Sequence, residues 1–187
     1  MEIAVDPEGR LAWSGGTVRC ALGRGGIRAD KREGDGGTPV GRFLLRRVLW
    51  RADRLPRPDT GLPVRAIAPD DGWCDAPEDP AYNRPVTGPY PASHEALWRE
   101  DGVYDVIVVM GHNDDPVVPG RGSAVFLHVA RPDWQPTAGC VALPLDDLLR
   151  LLKDCGPGSA LTVSDPTACP PDATVSHLRA TISQTAG

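Results

Sequence analysis

Residues 104–110 read YDVIVVM. The run is continuous, apolar and rich in β-branched side chains. That suits a strand covered on both faces and not one at a sheet edge. Tyr104 to Met110 is therefore expected at the centre of a sheet. A second core strand, SAVFLHV at 123–129, follows the turn-rich loop GHNDDPVVPGRG at 111–122. The rest of the chain is read outward from these two.

Upstream, EIAV at 2–5, the turn DPEGR and the return LAW at 11–13 describe a hairpin. TVRCAL at 17–22 alternates as a half-buried strand does. Residues 23–43 (GRGGIRADKREGDGGTPVGRF) are crowded with glycine and charge, so a long loop is expected there. It leads into a strand from Phe43 to about Trp50, with Gly36, Gly37 and Pro39 fixing the backbone. Composition alone describes that loop equally well as solvated or as functional. From Arg54 to Pro91 prolines are frequent, and irregular structure laid over the domain is expected, ordered by Trp50, Trp73 and Tyr82. SHEALW at 93–98 is expected as a short helix capped by Ser93.

Downstream, PLDDLLRLLKDCG at 144–156 is the one clear helix. Pro144 suits its start, and Asp146 and Asp147 complement its N-terminal dipole. Leu145, Leu148, Leu149 and Leu152 make its apolar face, and Gly156 ends it. SALTVS at 159–164 is a last strand. Residues 1–164 are read as one domain, and 165–187 as a loosely ordered tail.

The bulk numbers agree with one mainly β domain. The chain has 187 residues, 41% hydrophobic and 24% charged, with 21 Gly and 20 Pro, which favours short strands and turns over a bundle. Net charge is −5 and no basic patch dominates, so nucleic acid is not an expected partner. Five scattered cysteines contain no CxxC pair, giving neither a structural zinc site nor a disulfide scaffold. The start, MEIAVDPEGRLAW, shows no secretory leader, and no apolar run is long enough to span a membrane.

Chemistry concentrates in HVARPDWQPTAGCVAL at 128–143. A lone cysteine is most often a small buried hydrophobe, and a strand-end histidine is most often structural. Here His128, a loop stiffened by Pro132 and Pro136, Thr137-Ala138-Gly139-Cys140 and a following helix occur together. A thiol becomes a strong nucleophile as thiolate, which a histidine in reach and a helix N-terminus behind the sulfur both favour. Gly139 lets a carbonyl approach the backbone, and the Gly139 and Cys140 amides are candidate oxyanion donors.

His128 followed by Thr137-Ala138-Gly139-Cys140 resembles the signature of the L,D-transpeptidase (YkuD-like) catalytic domain: a histidine, a spacer, then Ser/Thr-His-Gly-Cys. DGGTPVGRF at 35–43 resembles that family's Gly-Asp-x-x-Thr-Pro-x-Gly-x-Phe segment, in the same order along the chain. The resemblance implies a β-sandwich of mixed sheets with one helix after the cysteine and long irregular loops. It implies Cys140 as nucleophile and His128 as base, oriented by the His128 or Val129 carbonyl, with Gly139 in the oxyanion hole. It also implies peptidoglycan stem peptides as substrate, cleaved after meso-diaminopimelate through a thioester, without metal or organic cofactor. Periplasmic action and carbapenem inhibition follow from the same resemblance. Three departures stand out: the spacer is short, Ala138 replaces the histidine before Gly-Cys, and Val141-Ala142-Leu143 stands where members often carry a polar or basic residue. They are similar to a short-loop subset of some Gram-negative bacteria, for which crosslinks between L-Ala and diaminopimelate are known beside the usual diaminopimelate pairs.

Further substrate-binding candidates are His112 and Asn113, expected at the same sheet edge as His128, and Tyr82 and Arg84, which suit gripping a peptide and its carboxylates. Thr137 and Trp134 join them from the loop before the cysteine. Three rival readings stay open: a carboxypeptidase or endopeptidase that hydrolyses the same thioester, a non-catalytic peptidoglycan-binding domain, and a metal peptidase built on His112.

Overall fold

A computed structural model describes residues 1–165 of the chain. The expected tail from 165 onward lies, past its first residue, outside the described residues. The elements are β1 (Glu2–Val5), β2 (Arg10–Trp13), β3 (Gly16–Arg19), β4 (Ile27–Arg28), β5 (Thr38–Pro39), β6 (Gly41–Trp50), β7 (Val64–Ala66), β8 (Asp71–Cys74), β9 (Pro85–Thr87), β10 (His94–Ala96), β11 (Val106–Met110), β12 (Phe126–Val129), β13 (Val141–Leu143), α1 (Leu145–Lys153) and β14 (Ala160–Val163). The protein is mainly β, with one helix among the described residues, as the sequence led us to expect.

Nine strands form one mixed sheet, in the order β13-β12-β11-β6-β14-β1-β2-β3, with β7 also on β6. The long β6 joins its two parts. Residues 41–44 ladder to β14, and residues 45–50 to β11. All five residues of β11 are buried. Because side chains alternate along a strand, Val106, Val108 and Met110 enter one core, while Ile107 and Val109 enter another on the opposite face. This double burial is why the segment is apolar throughout.

The first core holds the β1–β2 hairpin, the inner face of β6 and the helix. The second lies under a small sheet, order β10-β8-β9, whose Trp73 meets Phe126 of β12 edge-on at 5.1 Å. Burying a large aromatic stabilises by roughly 1.5–3 kcal/mol, so this contact fixes the small sheet over the face that carries the site.

Several local expectations are corrected. SHEALW is not a helix: His94–Ala96 pairs antiparallel with β8, and Leu97 is buried in the second core. Six residues gain little as an isolated helix, whereas pairing satisfies the backbone and buries the leucine. The stretch from Arg54 to Pro91 contains β7, β8 and β9, and the glycine-rich loop contains the parallel β4–β5 pair. In α1 the buried residues are Leu148, Leu151 and Leu152, while Leu145 and Leu149 are half-buried. Pro144 takes the N-cap position, and the helix ends on Asp154, two residues before Gly156.

Candidate active site

β12 and β13 run parallel, with His128 opposite Ala142 and Leu127 opposite Val141. Leu127, Val141 and Leu143 point into the first core, so alternation turns Phe126, His128, Cys140 and Ala142 to the other face. Strand spacing then separates the backbones of His128 and Cys140 by roughly 8 Å on a diagonal. Both side chains line one cavity of about 320 Å³.

Their local environments are distinct. Cys140 is 6% exposed, and its sulfur accepts from the Phe126 amide at 3.3 Å while its thiol donates to the Ala124 carbonyl at 3.3 Å. Burial pushes the thiol up to about 12. Glu95 pushes the same way, and the Phe126 amide and Lys31 oppose it. His128 is 7% exposed, with Nδ1 2.9 Å from the Val129 carbonyl. A carbonyl only accepts, so Nδ1 carries the proton and Nε2 keeps a lone pair. Burial lowers His128 to about 4, against the pull of that carbonyl. Near neutral pH the two groups are therefore a thiol and a neutral imidazole, not an ion pair.

The helix does not stand behind the sulfur. β13 intervenes, and α1 packs its leucines into the first core, on the far side of the sheet. Its dipole falls off within a turn, so it cannot lower the thiol. Nor is the Gly139 amide open to the cavity, because it donates to Thr137 Oγ1 at 3.1 Å. The same hydroxyl donates to the Cys140 carbonyl at 2.7 Å. Gly139 has φ +136°, and a Cβ there would stand 2.8 Å from the Gly37 carbonyl oxygen, so the glycine serves a close backbone approach. Among the described residues the Cys140 amide donates to no group.

The other candidates divide. Thr137 lines the cavity; Tyr82, Arg84, His112, Asn113 and Trp134 do not. Tyr82 is buried behind the wall, where its hydroxyl donates to Glu33 and accepts from the Gly122 amide at 3.0 Å. Arg84 is exposed and donates to the Asp114 carbonyl at 2.9 Å. His112 Nε2 meets the Arg121 carbonyl at 3.0 Å, and Asp114 is taken by Arg46 at 2.8 Å. Asn113, in left-handed backbone at φ 49°, ties Val118 and Gly122 together. Trp134 lies under the Arg19 guanidinium, 4.4 Å from its ring, and lines a neighbouring depression of about 520 Å³ that meets the first at Arg24 and Pro136.

Residues outside the sequence-derived set also line the cavity, among them Lys31, Glu33, Glu95 and Tyr104 and the cations Arg24, Arg99 and Arg131. Tyr104 meets the His128 ring edge-on at 5.3 Å and donates to Glu95 at 2.6 Å. Burial raises the Glu95 carboxyl, with Tyr104 and Arg99 pulling it back. Lys31 and Glu33 come from the glycine-rich loop; their concentration of charge immediately before a strand was the available signal. No spacing rule links Glu95 to Cys140.

No curated protein and no solved structure matches the chain. The family profile of the YkuD, L,D-transpeptidase catalytic domain matches residues 2–163, which takes in the strand framework, the glycine-rich loop and the cavity. The chain belongs to the YkuD family of L,D-transpeptidase catalytic domains.

Proposed function

We propose that the chain is a cysteine acyltransferase of peptidoglycan that cleaves a stem peptide after meso-diaminopimelate and passes the acyl group to an amine. The observation that carries this is the shared face of His128 and Cys140, one with a free ring nitrogen and the other with a thiol, at one cavity.

The neutral pair implies general-base catalysis and not a resting thiolate. The thiol turns from the Ala124 carbonyl to His128 Nε2, which takes its proton as sulfur bonds to the carbonyl carbon. The C=O pair moves to oxygen and meets the Cys140 amide. Collapse restores C=O and breaks C–N, and His128 returns the proton to the departing amine. The acceptor amine then attacks the thioester and gives its proton to Nε2. C–S breaks, and the sulfur is reprotonated by the imidazolium. The Val129 carbonyl holds the ring in the required tautomer throughout. Thr137 orders the Gly139–Cys140 peptide; Tyr82, Asn113 and His112 act indirectly, by building the wall. The reaction needs neither metal nor organic cofactor, and its substrate places the protein in the periplasm.

Incubation with tetrapeptide muropeptides and mass spectrometry of the products tests the reading. Crosslinked dimers are expected, joined through diaminopimelate pairs or through L-Ala and diaminopimelate. Shortened stems alone make it a hydrolase on the same nucleophile. No product at all leaves a binding domain.

A further inference from the structure

The loop 31–38 brings a cation to the nucleophile from a distant part of the chain. Lys31 is 7% exposed, an unusual burial for a lysine. Its Nζ donates to the Arg32 carbonyl at 2.8 Å and to Asp35 Oδ1. Asp35 is fixed in turn, since its two oxygens accept from the Arg32 and Gly37 amides, each at 2.8 Å. Burial disfavours the ionised carboxylate, yet bonds from Lys31, Arg32 and Gly37 outweigh it and hold its carboxyl below the usual range. The Gly37 carbonyl packs on Gly139, and Lys31 Nζ lies 3.7 Å from where a Gly139 Cβ would be. The ammonium is thus pinned beside the Gly139–Cys140 peptide.

Sharing the cavity wall with Cys140 are His128 on β12, Glu95 on β10, Tyr104 just before β11, Lys31, Glu33 and Asp75, and the guanidinium groups of Arg24, Arg99 and Arg131. Lys31 is the one cation that acts on the thiol in this set. Ala142, opposite His128, contributes no charge to the cavity.

We propose that Lys31 is an electrostatic positioning residue for Cys140: pinned by Asp35, its ammonium stabilises negative charge as it arrives on the sulfur. The proposal rests on Cys140 as nucleophile. In a low-dielectric wall a single neighbouring charge changes an ionisation equilibrium by about tenfold or more. Asp35 both holds the cation and offsets it.

The test is the pH dependence of Cys140 alkylation by iodoacetamide, read on the Cys140 peptide by mass spectrometry, in the full chain and in Lys31→Met and Asp35→Asn. Thermal melting confirms that each variant is folded at the assay temperature. At pH 8, Lys31→Met is expected to slow alkylation about tenfold and to move its midpoint to higher pH. Asp35→Asn keeps a side-chain oxygen to hold the ammonium but removes the offsetting charge, so it is expected to speed alkylation and move the midpoint down. A loop that only scaffolds the site moves both variants in the same direction, and that result, or no change in Lys31→Met, overturns the proposal. Muropeptide turnover by the wild type is measured in parallel. Its absence would refute the acyltransferase reading, while the alkylation profiles would still decide the role of Lys31.

Discussion

The Asn83 side-chain oxygen accepts from the Ala124 amide at 3.2 Å, and the Ala124 carbonyl in turn accepts the Cys140 thiol. Ala124 is held in left-handed backbone, φ 50°, a conformation alanine adopts only at a cost of about 1–2 kcal/mol. Asn83 is 4% exposed and also accepts from Trp73 Nε1 at 2.8 Å and donates to the His112 and Asn113 carbonyls. One buried amide thus ties the small sheet and the 111–122 loop to the backbone that faces the sulfur.

Asn83→Ala orphans all four partners. Each unmade buried hydrogen bond costs about 1–3 kcal/mol, partly relieved by relaxation. A loss of roughly 2–4 kcal/mol in urea unfolding is expected. The exposed neighbour Arg84→Ala is expected to stay within about 0.5 kcal/mol of wild type and to leave KM unchanged.

Stability should depend on pH through His128. Its folded value, about 4, lies below the ordinary 6.5. Between those values the unfolded chain binds more protons than the folded one. The contribution is complete above pH 6.5 and is lost as pH falls toward 4, on the order of 3 kcal/mol in all. Unfolding midpoints at pH 7 and pH 4.5 should therefore differ less in His128→Gln than in wild type. Equal pH sensitivity in the two would show that His128 titrates normally.

Thr137 and Gly139 shape the peptide at Cys140. Thr137→Val removes the donor to the Cys140 carbonyl and the acceptor of the Gly139 amide. Turnover is expected to fall by about tenfold or more, the effect of a bond worth 1.4 kcal/mol in the transition state, and Thr137→Ser should restore most of it. Gly139→Ala drives a Cβ into the Gly37 carbonyl. It should lower both melting temperature and turnover.

The sequence carried much of the framework. β11 was legible because it is buried on both faces, and α1 because its leucines recur at helical spacing. Elements fixed by remote partners were not legible. His94–Ala96 is a strand only because β8 lies beside it, and β7 is one because β6 does. Cys140 and His128 were readable as a candidate pair since they stand twelve positions apart along one stretch. Glu95 was not, being 45 positions from Cys140 and joined to it only by folding, and Lys31, 109 positions away, left no signal beyond the charge concentrated before β6. Arg84 had the right chemistry for a carboxylate, but the backbone aims its guanidinium at the Asp114 carbonyl. The helix behind the cysteine was misread because proximity in sequence says nothing about which face of a sheet an element covers.

The most direct measurement is intact-protein mass spectrometry after exposure to a carbapenem, whose strained ring offers the thiol an acyl carbon without a leaving group to lose. Wild type should gain one carbapenem mass, mapped to the Cys140 peptide, and Cys140→Ala should gain none. An unmodified wild type, or equal labelling of Cys140→Ala, would contradict the assignment of Cys140 as the acylated nucleophile.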